Sequence, residues 1–296
     1  MPRFDYRLVD VFTTVRFGGN PLAVFPEADG IEPALMQRIA FELNLSETTF
    51  VLPSSAPGCD VRVRIFTPRS ELPMAGHPTV GTAFVLGALA HGGRPRWVFE
   101  EGVGPVPVER VRRDGATLWR MTQPAPRFGP LAADAAAVAT ALGVAPGDVD
   151  PALPLEVVAT GPPFLMVPLR SLDALGRARS PGDAWTASAE RLGGAQPYLF
   201  VRSGERGARC RMFAPAHGIA EDPATGGAAG PLGAYLLAHG CVAPGADGVA
   251  HVTLTQGVEM GRPSTLHVEV EGSGRDVGAV RVAGACVPVG GGWIEP

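Results

Sequence analysis

A chain of 296 residues, 46% hydrophobic and 18% charged, is long enough for one large domain or two ordinary ones and has the make-up of a packed globular protein. Its net charge of −4 gives no electrostatic reason to bind nucleic acid or an anionic membrane. All 25 basic residues are arginine, which excludes Schiff-base chemistry, lysine-held pyridoxal phosphate and a lysine-bearing phosphate loop.

In chain order, residues 1–7 run into strand-like sequence and lack the apolar core of a signal peptide. Strands are predicted near 6–12, 48–52, 60–66, 96–100, 106–110, 117–121, 155–158, 164–168, 198–202, 209–213, 252–255, 265–271 and 277–282, where polar and apolar residues alternate or short apolar runs occur. An amphipathic helix is predicted from Pro33 to about Asn44, with proline in its first turn and Leu35, Ile39 and Leu43 on one face. Weaker helical patterns cover 133–142 and 184–192. Segments 79–91 and 225–239 are helical in composition but carry no charge on any face, so each should be buried all round. Pro231 inside the second should kink it or delay its start. The run Thr122-Gln123-Pro124-Ala125-Pro126-Arg127-Phe128-Gly129-Pro130 reads as a linker over 122–132. No stretch offers about 20 continuous apolar residues, and the expectation is a soluble cytoplasmic protein.

One short pattern occurs twice. Arg64, Phe66, Pro68, Pro78, Gly81 and Ala83 spell R-x-F-x-P, a gap, then P-x-x-G-x-A; Arg211, Phe213, Pro215, Pro223, Gly226 and Ala228 repeat it. The charge-free segments that follow end in Leu89-Ala90-His91-Gly92 and Leu237-Ala238-His239-Gly240. Self-similarity of this kind marks a duplicated unit. The expected fold class is α+β: two pseudo-symmetric half-domains, each a curved, mostly antiparallel sheet around one central buried helix. The halves are placed at 1–121 and 133–274, with the strands after about 275 returning to the first. A cleft between two such halves is the natural place for a small ligand.

Aligned on the prolines Pro78 and Pro223, His77 takes the place of Asp222, each at the opening of a central helix. Helix openings present unpaired N–H groups and a partial positive charge, which suits a carboxylate. As single residues, Asp222 also reads as a plain helix cap and His77 as a cap or core histidine. Glu47, in Leu45-Ser46-Glu47-Thr48-Thr49-Phe50-Val51, has apolar neighbours on both sides. It is either a solvated strand-end residue or a partly buried carboxyl able to carry protons near neutrality. His267, Glu269 and Glu271 share a strand face and read better as solvated than as metal ligands. His217 and Glu221 form no zincin-like pair, since Gly218 and Pro223 argue against a helix there. Cys59, Cys210, Cys241 and Cys286 are widely spaced and read as structural thiols. There is no dinucleotide fingerprint and no serine-hydrolase elbow, and neither cofactor nor metal is expected.

Five segments, Gly19-Asn20-Pro21-Leu22-Ala23-Val24, Leu45-Ser46-Glu47-Thr48, Met74-Ala75-Gly76-His77-Pro78-Thr79-Val80-Gly81, Glu221-Asp222-Pro223-Ala224-Thr225-Gly226 and Gln256-Gly257-Val258-Glu259-Met260-Gly261-Arg262-Pro263, resemble the signatures of the phenazine-biosynthesis isomerase (PhzF-like) family. They span residues 19 to 263 in order. The resemblance implies the diaminopimelate-epimerase fold, cofactor-free proton transfer and a homodimer. It implies that Glu47 is the proton-shuttling acid/base, with His77 and Asp222 contacting substrate and Asn20, Gly76, Gly226 and Gly227 helping to bind it. Gly227 stands where the family pattern often has serine, which removes a hydroxyl donor. Arg262 could pair with a substrate carboxylate or anchor its loop. The superfamily's two-cysteine racemisation is disfavoured, because neither helix-opening motif holds a cysteine.

The resulting expectation is a cofactor-independent isomerase moving a proton within a small carboxylate-bearing metabolite. The alternatives are an epimerase or racemase using Glu47 and Asp222 as opposed acid and base, and a binding protein without turnover.

Overall fold

The computed structural model describes residues 3–89, 93–132 and 134–295. The chain divides into two compact units, Met1–Thr122 with Val282–Pro296, and Gln123–Arg281.

The first unit contains strands β1 (Phe4–Val11) and β2 (Asn20–Phe25), helix α1 (Pro33–Leu43), strands β3 (Glu47–Leu52), β4 (Val61–Phe66) and β5 (Glu71–Leu72), helix α2 (Gly76–Leu89), and strands β6 (Arg96–Glu101), β7 (Gly104–Arg113) and β8 (Ala116–Gln123). Strand β1 pairs antiparallel with β2, β2 parallel with β3, β3 antiparallel with β4, β4 antiparallel with β5 and parallel with β6, and β6–β7–β8 are antiparallel. The two parallel pairs arise where a helix, α1 or α2, carries the chain back across the sheet.

The second unit contains β9 (Arg127–Leu131), α3 (Ala135–Ala141), β10 (Glu156–Ala159), β11 (Pro163–Pro168), α4 (Leu172–Arg177), α5 (Thr186–Arg191), β12 (Gln196–Ser203), β13 (Gly207–Ala214), β14 (Ile219–Asp222), α6 (Gly226–Ala238), β15 (Val249–Gln256) and β16 (Ser264–Ser273). Its pairings repeat those of the first: β10–β11 antiparallel, β11–β12 parallel, β12–β13 antiparallel, β13–β14 antiparallel, β13–β15 parallel and β15–β16 antiparallel. Strand β17 (Asp276–Gly284) passes the boundary at Val282, and β18 (Cys286–Ile294) pairs antiparallel with β1, as β9 does with β10. The class is α+β, as expected from the sequence.

Neither central helix contains Asp, Glu, Lys or Arg. In α6 every residue from Gly226 to Leu237 is buried. Glycine lets α2 approach its sheet closely: a Cβ on Gly81 would stand 2.6 Å from Leu22 Cδ2 and 2.7 Å from Val11 Cγ2. Helix α1 buries Met36, Ile39 and Ala40 against Phe25, Phe50 and Phe66, with Leu35 and Leu43 at the margin of that cluster. Phe25 and Phe50 stack at 4.9 Å, and Phe66 meets Phe50 edge-on at 5.6 Å.

Several expectations are corrected. The run 122–132 contains the boundary between the units, at Thr122 and Gln123, but it is strand rather than loose linker, holding the end of β8 and all of β9; Pro124, Pro126 and Pro130 fix φ at a value that extended backbone accepts. The return to the first unit begins at Val282, beyond the expected 275. The central helices start at Gly76 and Gly226, earlier and later than the prolines suggested. Pro231 lies inside α6. The donor that Pro231 lacks would have met the Gly227 carbonyl. The end of the first repeat, Ala90-His91-Gly92, lies outside the described residues.

The repeat itself is shifted. Glu71-Leu72-Pro73 before α2 and Glu221-Asp222-Pro223 before α6 share one local structure, a strand end, a bend and two residues before the helix. Pro73, not Pro78, therefore matches Pro223, and His77 matches Gly227. A second device confirms this pairing. Arg64 forks onto Glu71 with both contacts at 2.7 Å, and Arg211 onto Glu221 at 2.7 and 2.8 Å. Each guanidinium lies 5.0 Å from the phenylalanine two residues on, Phe66 or Phe213. The partners are seven residues apart in the first copy and ten in the second, so the second copy has the longer turn.

Candidate active site

In the first unit three sequence-predicted residues converge. A glycine turn at Gly19, whose φ is +63°, delivers Asn20 to the start of β2. Parallel pairing of Leu22 with Glu47 sets β3 beside it, and α1 ends on Asn44 in the left-handed region just before Glu47. His77 is the second residue of α2, which a 2.9 Å contact between the Thr49 and Thr82 hydroxyls ties to β3. Asn20, Glu47 and His77 are 0%, 7% and 2% exposed.

The amide nitrogen of Asn20 can only donate, and it lies 3.0 Å from His77 Nδ1. Nδ1 therefore accepts and the ring hydrogen sits on Nε2, which faces Glu47 Oε2 at 3.3 Å. Burial pushes the His77 pKa down to about 3, and the positive end of α2 acts in the same sense. His77 is thus a neutral donor at physiological pH, able to hold one carboxyl oxygen of Glu47 without competing for its proton.

In the second unit Asp222 closes β14 and is 4% exposed. The Thr225 hydroxyl donates to Asp222 Oδ2 at 2.6 Å. Gln256, the last residue of β15 and fully buried, donates through Nε2 to the Asp222 carbonyl at 2.7 Å and to Thr225 Oγ1 at 2.9 Å. Gly226 and Gly227 open α6, and the Gly226 carbonyl accepts from Gln123 Nε2 at 2.9 Å. Gly76 opens α2 in the same way. Gly257, with φ +75°, turns the chain so that the Arg262 N–H reaches the Gly257 carbonyl at 2.9 Å. The Ser264 hydroxyl then lies 2.9 Å from the Pro223 carbonyl and 3.0 Å from the Arg262 carbonyl, which share its single hydrogen. Arg262 thus closes, through its backbone, the turn that backs the Asp222 loop.

Sequence reading missed Thr225, Gln256 and Tyr198, whose hydroxyl donates to Gln256 Oε1 at 3.0 Å. Thr225 and Gln256 lay inside motifs already singled out; Tyr198 carried no signal. It also placed His77 and Asp222 at equivalent positions. They are not equivalent: one is in the first turn of its helix, the other at the end of the strand before. Glu221, once considered beside His217, is the partner of Arg211. Glu271, its side chain 43% exposed, pairs with Arg281 at 2.6 Å, and His267 and Glu269 beside it are partly exposed. All four cysteine thiols have pKa values raised by burial, Cys210 to about 12, so none is a ready base or nucleophile. Among the described residues no helix is long and apolar enough to cross a membrane.

Two halves of one topology, each built on a buried apolar helix with polar residues gathered at its opening, define the class shared by the PhzF and proline-racemase-like structures. A hydroxyproline epimerase from Agrobacterium vitis, crystallised with trans-4-hydroxy-L-proline, shares the fold with a TM-score of 0.71 at 14% identity, over 99% of this chain and 91% of that one. A family model described as phenazine biosynthesis-like protein matches residues 9–292, and the chain belongs to that family. The trans-2,3-dihydro-3-hydroxyanthranilate isomerase of Pseudomonas fluorescens is 41% identical over 291 residues, 98% of this chain and 99% of that protein. The crystal structure of a Bacillus anthracis phenazine biosynthesis protein of the PhzF family has a TM-score of 0.88 at 28% identity, over 100% of both chains. The chain is an isomerase of this family.

Proposed function

We propose that this enzyme shifts a proton within a small carboxylate-bearing substrate without a cofactor, and that Glu47 carries the proton. Glu47 as carboxylate takes a proton from one carbon. The electron pair left behind moves through the adjacent double bond, and the protonated carboxyl returns the proton to the carbon at the far end. Substrate and product are isomers, and nothing else is consumed. The observation that carries this reading is the Glu47–His77–Asn20 chain. A buried carboxyl stands 3.3 Å from the nitrogen of a neutral imidazole, a neighbour that does not compete for the proton the carboxyl carries.

His77 and Asp222 serve the same substrate molecule as Glu47. The first-turn amides of α2 and α6, at Gly76–His77 and Gly226–Gly227, bind the substrate carboxylate or the charge that develops during transfer. Asn20 acts by fixing the His77 ring, and Arg262 by anchoring its loop. Gly227 offers space and a backbone amide but no hydroxyl, so the substrate is held there through backbone donors alone.

The first acid to test is trans-2,3-dihydro-3-hydroxyanthranilate, because relatives 40–41% identical are named for isomerising it. Glu47→Gln keeps the shape and removes the proton carrier. Turnover should fall by at least about 10³-fold with an unchanged melting profile, and wild-type turnover in that variant would refute the assignment. Chiral analysis of recovered substrate separates this reaction from epimerisation, which would scramble one stereocentre and leave the double bonds in place. The homodimer and the cytoplasmic location belong to the same proposal. Light scattering should give twice the 30.7 kDa chain mass, and fractionation of the source cells should leave the enzyme in the soluble interior fraction.

A further inference from the structure

We infer that Gln256 is a positioning residue which, held by Tyr198, fixes the direction of the Thr225 hydroxyl and so keeps Asp222 a hydrogen-bond acceptor towards its surroundings. This rests on the reading of Asp222 as a substrate-contacting residue.

The argument is a count of hydrogens around one buried amide. Gln256 Oε1 receives the Thr225 backbone N–H at 3.2 Å and the Tyr198 hydroxyl at 3.0 Å. A backbone N–H can only donate, so the atom it meets is the oxygen, and the amide cannot be reversed. Both hydrogens of Nε2 are then committed, one to the Asp222 carbonyl at 2.7 Å and one to Thr225 Oγ1 at 2.9 Å. Thr225 Oγ1 has accepted, and its single hydrogen points at Asp222 Oδ2, 2.6 Å away. Every donor in the chain from Tyr198 to Asp222 runs one way. Tyr198, Gln256, Thr225 and Asp222 are all buried, so water does not scramble the order. Partly satisfied networks of this kind are costly, which is why the direction holds.

The backbone supports the same end. Gln256 is the last residue of β15, opposite Ser264 on β16, and the Ser264 hydroxyl anchors the Pro223 carbonyl at 2.9 Å. Gly257 must be glycine because, at φ +75°, a Cβ would stand against the Pro223 and Arg262 carbonyls. The Gln-Gly pair is therefore a single fitting that grips Asp222-Pro223-Ala224-Thr225 from behind.

The test is Gln256→Glu, which swaps the donating nitrogen for an oxygen of the same shape. At neutral pH the new carboxylate faces the Asp222 carbonyl and Thr225 Oγ1 with no hydrogen to offer. Turnover of trans-2,3-dihydro-3-hydroxyanthranilate should drop roughly 10²-fold, mainly in kcat. It should recover as pH falls and the new carboxyl gains a proton, an acid-side limb absent from the native profile. A packing role would lower activity at every pH alike. A native profile in a folded Gln256→Glu protein would overturn the inference. Tyr198→Phe is the milder second variant. It should cost several-fold in kcat with KM held, and unchanged kcat would count against the chain of donors. Full activity in Asp222→Asn would remove the underlying reading instead. An inactive Asp222→Asn beside an unaffected Gln256→Glu would remove this inference alone.

Discussion

The Thr79 hydroxyl has one hydrogen, yet it lies 2.7 Å from the Ala75 carbonyl and 2.6 Å from Glu101 Oε1. Both contacts are satisfied only if Glu101 supplies a hydrogen of its own. Burial raises the Glu101 pKa to about 8, from an ordinary value of 4.5. The native carboxyl then keeps a proton that the unfolded chain has released, so its stabilisation is complete below pH 4.5 and is lost as pH rises through 8. His77 works in the opposite window. Its native pKa of about 3 lies below its ordinary 6.5, so its stabilisation is complete above 6.5 and is lost as pH falls towards 3. Above pH 6.5 the His77 contribution is constant, and Glu101 contributes a fall of about 1.4 kcal/mol per pH unit. Urea midpoints should therefore fall between pH 6.5 and 8 by the equivalent of ~2 kcal/mol, and Glu101→Gln should flatten that fall; equal slopes in both proteins would disprove a proton on Glu101. Nothing in the sequence marked Glu101, because a strand-end glutamate betrays its burial only through the helix packed over it. Glu47, His77 and Asn20 were legible because each stands in a short motif. The Gln256 contacts were not, since its partner Asp222 is 34 residues away and Tyr198 is 58 away.

At the scale of elements, the two charge-free segments announced buried helices, and α2 and α6 are that. Their exact starts were illegible, because proline tolerates both the first turn of a helix and the bend before it. The reliable landmark was the arginine of each R-x-F, which fixes its glutamate across the turn. The two copies of that fork should differ in strength. The Arg211 side chain is 6% exposed and also donates to the Leu175 and Ala178 carbonyls at 2.8 and 2.9 Å, while Glu71, the partner of Arg64, is 41% exposed. Arg211→Met should cost about 3–5 kcal/mol by stranding buried acceptors, and Arg64→Met about 0–1 kcal/mol; chemical denaturation ranks them, and equal costs would contradict the burial argument. Gly81→Val should cost about 1–3 kcal/mol by forcing α2 off Leu22 and Val11. Because His77 rides on the same helix, activity should fall by more than the loss of folded protein explains.

At the scale of the whole molecule, one order of strand pairings occurs twice, and the alternation of residues along the strands made the α+β class readable. The parallel pairs β2–β3, β4–β6, β11–β12 and β13–β15 were not readable, because they depend on which strands the intervening helices bring together. The run read as a linker at 122–132 does hold the boundary between the units, but its strand character was not readable for a related reason: β9 is held by its pairing with β10, not by its own composition. Membership of the phenazine biosynthesis-like family fixes the reaction class as isomerisation and leaves the proton carrier to experiment. The most direct measurement is turnover of trans-2,3-dihydro-3-hydroxyanthranilate in deuterated water, read by NMR for wild type and Glu47→Gln side by side. The account predicts deuterium at the carbon that gains hydrogen in the wild-type product, to the extent that the Glu47 proton exchanges before transfer, and neither product nor labelled substrate from the variant. Labelled product from Glu47→Gln at the wild-type rate would contradict it.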